Sequence, residues 1–178
     1  MQNKSPVKRI MIIGCCGAGK STLAKKLHQL TQLPVFHLDQ YYWKPDWVES
    51  TTSEWGPKVE ELATQEAWII DGNYSGTIDS RLKRADTIIY LDYSTINCLW
   101  RITKRIFKYH GETRPDMTEG CVERFDLEFY HYVAVYNLTR RKQLLEKLST
   151  LPTEKSIFIL KNDSEVEQFL EGLIQKQI

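Results

Sequence analysis

The stretch VKRIMIIGCCGAGKSTLAKKLHQL, residues 7–30, decides how the chain is read. Its apolar run Ile10–Ile13 is β-branched and ends on a glycine, so Val7–Ile13 reads as a buried strand. Ser21–Leu30 carries Leu23, Leu27 and Leu30 at helical spacing. Between them, Gly14-Cys15-Cys16-Gly17-Ala18-Gly19-Lys20-Ser21 fits G-x-x-x-x-G-K-[ST] in the strand–turn–helix setting that this pattern requires. Gly17 and Gly19 let the backbone turn so that several N–H groups point into one concavity. The positive end of the following helix faces the same point. Such a concavity binds phosphates. Lys20, expected to face solvent, would reach the β- and γ-phosphates of ATP, and the Ser21 hydroxyl would hold Mg²⁺. Gly14, Cys15, Cys16, Gly17, Ala18, Gly19, Lys20, Ser21 and Thr22 are the candidate nucleotide-binding set. An accidental glycine-rich turn is the alternative, and the flanking strand and helix argue against it.

Outward from this stretch, Val35–Leu38, Trp68–Ile70, Thr87–Leu91 and Ser156–Leu160 read as further strands. Helices are expected at Thr52–Glu66 (with Ser53 as a cap), Thr77–Arg84, Ile96–Tyr109 and Glu165–Ile174. One long helix is expected over Val122–Leu148, which contains no Gly or Pro. An aromatic loop spans Tyr41–Trp47. His110–Gly120 holds Gly111, Pro115 and Gly120 and reads as a loop or flap. Strands alternating with helices predict an α/β protein with a parallel sheet covered on both faces. No repeat or linker divides residues 1–178, so one domain is expected.

With 178 residues, 42% hydrophobic and 26% charged, the chain can bury a real core, and disorder is excluded as its dominant state. Lys+Arg 24 against Asp+Glu 23 leaves a formal charge of +1, so anion binding must come from local patches. No apolar run is long enough to span a bilayer, and Ile10–Ile13 is too short for the core of a signal peptide. The four cysteines, Cys15, Cys16, Cys98 and Cys121, form no C-x-x-C and read as reduced thiols of a cytoplasmic protein. No zinc site is expected, since no histidine shares ligand spacing with them.

A phosphate-binding loop needs a second acid to hold its metal through water. Asp71 ends the third strand at the carboxyl edge of the sheet, where ligands bind, and its Asp-Gly step allows close backbone approach. Asp92, ending the next strand, is the rival, and either could be a turn or cap residue. Asp39 follows the second strand at the same edge. Tyr41, Tyr42, Trp43 and Trp47 would either stack on a planar base or sugar, or seal one edge of the core. Arg101, Arg105 and Lys108 recur at helical spacing, which fits a solvated basic face as well as a phosphate grip. Arg140 continues the stripe Phe129, Val133, Tyr136, an odd place for a charge unless it meets an anion; Arg141 is a substitute.

At this point the chain resembles a known group. The phosphate loop, the Asp-Gly after the third strand and an arginine-flanked flap are similar to adenylate kinase and related small-molecule kinases. His37-Leu38-Asp39, Tyr42-Trp43-Lys44-Pro45, Trp47, Asp71-Gly72-Asn73-Tyr74 and Ala85-Asp86 more closely resemble the bacterial DNA topology modulation protein branch. The resemblance implies a three-layer P-loop NTPase fold, with a five-stranded parallel sheet of order 2-3-1-4-5 and a flap near 110–120 over the phosphates. True adenylate kinases carry Asp-Gly-Phe-Pro-Arg after the third strand. Here Asp71-Gly72-Asn73-Tyr74 lacks the arginine, which argues against AMP as acceptor unless Arg81 or Arg84 replaces it. Shikimate and gluconate kinases have an acid near Asp39, which implies that Asp39 orients the acceptor. The same resemblance implies that Arg101 and Arg105 approach the phosphates on closure. The acceptor-side set is then Asp39, Tyr42, Trp43, Asp71 and Arg81, with Ser21 and Asp71 on the metal and Lys20, Asp39, Arg101, Arg105 and Arg140 at the chemistry.

The expected function is transfer of the γ-phosphoryl of ATP·Mg²⁺ to a small acceptor, a nucleotide or hydroxylated metabolite. An ATP-dependent, nucleic-acid-binding regulator of DNA topology is the alternative. The balanced charge and the absence of a helix-turn-helix or basic arm argue against it. A switch NTPase would need a base-specificity motif that the sequence does not show.

Overall fold

A computed structural model describes residues 7–175. The start of the stretch weighed against a signal peptide, residues 1–6, lies outside them. Five parallel strands form the sheet: β1 (Arg9–Gly14), β2 (Val35–His37), β3 (Trp68–Asp71), β4 (Thr87–Leu91) and β5 (Ser156–Leu160). Their order is β2-β3-β1-β4-β5, the order 2-3-1-4-5 expected above. β1 is flanked on both sides, with Ile10 opposite Ile69 of β3 and Thr87 of β4. A central strand buried on both faces is why its sequence is a continuous apolar run rather than an alternation.

Alternate residues of β1 point to opposite faces and nucleate two cores. Ile10 and Ile12 pack with Leu23 and Leu27 of α1 (Lys20–Thr31), Ile102 of α5 (Thr95–Tyr109), Val133 of α6 (Leu127–Thr139) and Leu170 of α8 (Asp163–Gln175). Met11 and Ile13 pack with Val59 and Leu62 of α3 (Thr52–Ala63), Leu82 of α4 (Ile78–Arg84) and Leu148 of α7 (Arg141–Ser149). Three layers result, with the carboxyl ends of β1, β2 and β3 opening at one edge. No helix among the described residues is long and apolar enough to cross a membrane.

Four expectations are corrected. Leu38 does not end β2 but opens a short helix, α2 (Leu38–Tyr42), and the aromatic loop contains an antiparallel hairpin pairing Trp43–Lys44 with Val48–Glu49. Asp46 and Trp47, both at positive φ (62° and 60°), turn that hairpin. The cap of α3 is Thr51, not Ser53. Its hydroxyl accepts from the Glu54 N–H while the Glu54 carboxylate accepts from the Thr51 N–H, a reciprocal pair that the residue just inside the helix cannot make.

The long helix is two. Residues 122–126 are extended and bridge to the flap, through His110 with Glu123 and Thr113 with Val122. The Asp126 carboxylate caps α6 by accepting from the Phe129 N–H. Arg140 separates α6 from α7, where the Arg141 guanidinium grips both oxygens of Asp92 at 2.8 Å. Val122 and Phe125 are consequently exposed instead of lining a helix face.

Candidate active site

The phosphate loop joins β1 to α1 through residues 15–19, and Gly19 enters the helix in the left-handed region at φ 96°. Gly17, at φ 81°, passes under α5 so closely that a Cβ there would lie 2.5 Å from the Cys98 carbonyl oxygen. No other residue fits. Lys20 is not solvent-facing as expected. Its Nζ donates to the carbonyls of Gly14 (2.9 Å) and Cys15 (3.1 Å), the nearest acceptors at the mouth of its own loop. Burial raises the Cys16 thiol, Lys20 and the more distant Arg105 and Arg114 lower it, and Asp39 raises it; the net direction is up. Thr22 is exposed on the first turn of α1.

Asp71 ends β3 opposite Ile12, two residues before the loop begins. It is buried, and its Oδ1 lies 2.7 Å from Nδ1 of His37 at the end of β2. Burial lowers the His37 pKa, but the hydrogen bond and charge of Asp71 raise it by more. Both oxygens of the rival Asp92 are engaged by Arg141, whereas His37 takes one oxygen of Asp71.

Beyond Asp71, the turn Gly72-Asn73-Tyr74 carries two contacts that sequence reasoning did not assign. Asn73 Oδ1 accepts from the Gly14 N–H at 3.0 Å, and its amide also meets the Tyr132 phenol of α6. The Tyr74 hydroxyl donates to Asp39 Oδ1 at 2.6 Å. Asp39 sits in the first turn of α2, half-buried, and its charge contributes to raising the Cys16 thiol of the loop.

Arg81 is corrected. It does not reach an acceptor, because it is fully buried and its guanidinium donates to the carbonyls of Gly72 (2.8 Å), Asn73 and Tyr74 (3.1 Å). Burial pulls its pKa down to about 9, which still leaves it charged at neutral pH. Tyr42 and Trp43 are also corrected as stacking platforms. Tyr42 packs against Trp43, Trp55 and Tyr74 with ring centroids 4.7–5.1 Å apart, and its hydroxyl donates to Glu49. Trp43 stands edge-on to Trp47 as well. These rings form the wall behind Asp39, the core-sealing arrangement of the two read from the sequence.

The flap extends past Gly120 to Glu123 and is docked on α2 and the hairpin. Gln40 Nε2 donates to the Pro115 carbonyl, Thr118 Oγ1 to the Gln40 carbonyl, and Trp47 Nε1 to the Val122 carbonyl. Within it, Arg114 lies between Asp116 (3.0 Å) and Glu123 (2.8 Å), and Glu123 also takes Arg105 at 2.8 Å. The Ser21 hydroxyl lies close enough to the Asp116 carboxylate to lower its pKa. Burial raises that carboxyl, but Arg114 and Ser21 outweigh it, and the net direction is down.

Arg101 contacts Asp163 at 2.6 Å, lies over the Tyr93 ring, and places Nη1 3.4 Å from the Ala18 carbonyl. Arg140 does not continue the apolar stripe, since it is exposed at the α6–α7 junction. The structure thus brings Lys20, Ser21, Asp39, Asp71 and Arg105 toward one mouth and keeps Arg81 behind it. His37, Asn73, Tyr74, Arg114, Asp116 and Glu123 join the site. The acidic run Asp116–Glu128 beside basic residues was the signal for the last two.

Among the described residues, no three His, Cys, Asp or Glu side chains form a metal-holding group. Mg²⁺ needs no such cage, because it retains waters and phosphate oxygens. The hydroxyl of Ser21 with the carboxylates of Asp71 and Asp116 is a hard-oxygen set that suits it.

Solved structures that share this fold include kinases. Shikimate kinase from Acinetobacter baumannii, in complex with shikimate, aligns over 96% of this chain and 93% of its own with TM-score 0.56 and 14% identity. This is the fold of P-loop kinases. Shikimate kinase from Bacteroides thetaiotaomicron aligns with TM-score 0.53 and 17% identity over 96% of this chain and 98% of its own. Deoxyadenosine kinase from M. mycoides, with products dCMP and dCDP bound, aligns with TM-score 0.52 and 18% identity over 95% and 97%. No family model matches the chain. The uncharacterized protein YqaC of Bacillus subtilis (strain 168) is 31% identical over 108 residues, 58% of this chain and 60% of that protein, so the chain spans about three fifths of that relative.

Proposed function

We propose that the chain is a phosphotransferase that moves the γ-phosphoryl of ATP·Mg²⁺ to the hydroxyl of a small acceptor, a nucleotide or hydroxylated metabolite. The observation that carries this reading is Asp39. It is a half-buried carboxylate, held by Tyr74 and close enough to the phosphate loop for its charge to raise the Cys16 thiol, on the helix to which the flap docks. A carboxylate held in this way can accept the hydrogen bond of an acceptor hydroxyl and orient its oxygen.

Lys20 moves from its loop carbonyls onto the β- and γ-phosphate oxygens, and the loop N–H groups hold the rest of the triphosphate. Ser21, with Asp71 through water, would hold Mg²⁺, whose charge offsets that of the phosphates. Asp39 accepts the hydrogen bond of the acceptor hydroxyl, points its oxygen at the γ-phosphorus, and takes the proton late in transfer. Arg101 and Arg105, with Arg114 of the flap, offset charge developing on the transferred oxygens. Arg140 has no role in this reading. The docked flap excludes water, which suppresses hydrolysis in favour of transfer. Four free cysteines fit a reducing compartment, as expected for a cytoplasmic enzyme.

The resemblance to the topology modulation branch suggested a regulator that binds DNA. Arg101 and Arg105 are engaged by Asp163 and Glu123, so the stripe that favoured it is not an open basic patch. A metabolic kinase acting indirectly fits these contacts better.

The test is an ATP-consumption screen over nucleosides, nucleoside monophosphates and hydroxy acids with the purified protein. Acceptor-dependent ADP formation supports the reading. ADP formation independent of every acceptor, or none at all, contradicts it.

A further inference from the structure

Arg81 is among the most deeply buried side chains, yet it makes no ion pair at hydrogen-bond distance among the described residues. Its charge-assisted donors instead converge on three successive carbonyls, those of Gly72, Asn73 and Tyr74, with a fourth, longer contact to Thr77 at 3.4 Å. Three carbonyls can point to one side only if the chain between them leaves regular structure. It does: Gly72 has φ 134° and Tyr74 φ 38°, a left-handed conformation that a tyrosine adopts only when its surroundings impose it.

The two side chains of that turn point into the two halves of the site. Asn73 accepts from the Gly14 N–H and ties the start of the phosphate loop to β3. Tyr74 donates to Asp39 on the acceptor side. We infer that Arg81 is a positioning residue whose guanidinium templates the Gly72-Asn73-Tyr74 turn and so sets the phosphate loop and Asp39 in register with each other. The consequence for transfer rests on the phosphotransferase reading; the mechanical claim does not. Lysine cannot replace it, since one ammonium cannot present a planar fork to three carbonyls.

The experiment is a double-mutant cycle between Arg81→Lys and Asn73→Ala on ATP·Mg²⁺ affinity, read with amide exchange in the ligand-free protein. Arg81→Lys should weaken ATP·Mg²⁺ about tenfold, the worth of one lost hydrogen bond. Asn73→Ala should do the same, and the double variant should be no weaker than either, because both remove one tie. In the ligand-free variant, the Gly14 amide should exchange at least about tenfold faster, while Ile12 and Ile89 in the sheet keep their protection. Losses that multiply in the cycle, or a Gly14 amide that stays protected, overturn the inference. If wild-type protein does not bind ATP·Mg²⁺, the phosphotransferase reading falls, and the exchange of Gly14 alone decides the role of Arg81. Should Arg81→Lys fail to fold, Arg81→Gln takes its place. Loss of the whole fold in both would assign Arg81 to the core rather than to the site, and overturn the inference.

Discussion

The phosphate loop and the flap face each other across one mouth, and they are built by opposite means. The loop is fixed by backbone: a strand buried in mid-sheet, glycines at φ 81° and 96°, and a carbonyl of α5 too close for any side chain at Gly17. The flap is fixed by side chains. Gln40, Trp47 and Thr118 tie it down, and an alternating series Asp116, Arg114, Glu123, Arg105 runs through it. A backbone-built element presents the same N–H groups in every state. An element held by hydrogen bonds with exposed partners opens at modest cost, as an acceptor must enter and leave.

The largest expected effect falls on the rigid side. Lys20→Ala should lower acceptor phosphorylation by about 10³-fold, the scale of losing one positioned charge at developing negative charge. Its stability should change by about 1–3 kcal/mol, since the part-buried hydrogen bonds to the Gly14 and Cys15 carbonyls are lost. Turnover measured beside thermal melting checks both, and unchanged turnover in a folded variant would remove the loop from the chemistry.

On the flap side, Glu123→Gln should leave Arg105 and Arg114 without the carboxylate they share. A buried pair broken on one side costs about 3 kcal/mol, less here because Arg105 retains some water. Urea unfolding should report that loss, and amide exchange should place its first effect in residues 110–123. Uniform exchange across the molecule would contradict a separately closing flap.

The smallest effect is one of pH. The His37 pKa is raised above its ordinary 6.5 by Asp71. The pair therefore contributes its full stability below about pH 6.5, and that stability is lost as pH rises through the folded value. Unfolding free energy should fall over that window in wild type and stay flatter in His37→Asn. An equal slope in both would remove the charged pair.

The same contrast explains what the sequence made legible. β1, the loop and α1 are local: strand period, glycine spacing and helix spacing lie within residues 7–30. Asp39 and Asp71 were placed at the sheet edge because each directly follows an apolar strand. Arg81 reads in the sequence as an acceptor-side arginine, since nothing in its neighbours reveals that three carbonyls of a left-handed turn converge on it. The break at Arg140 left no glycine or proline, and the extended run 122–126 is set by pairing with His110 and Thr113 across the flap. Charge patterning hinted at the flap network. It could not say that Glu123 would lie between two arginines, because that depends on how the flap folds back on α5.

Whether the mouth has an acceptor side at all is tested most directly by Asp39→Asn, with phosphoryl transfer and background ATP hydrolysis measured in one preparation. Asp39 lies on α2, and its carboxylate is held by Tyr74, while Lys20 is held by carbonyls of the phosphate loop. The variant should bind ATP·Mg²⁺ nearly as wild type does. Transfer should fall by a factor of about 10² to 10⁴, the range for a lost acid–base group, and hydrolysis should fall far less. Equal losses in the two rates, or loss of ATP binding itself, would contradict the assignment of Asp39 to the acceptor.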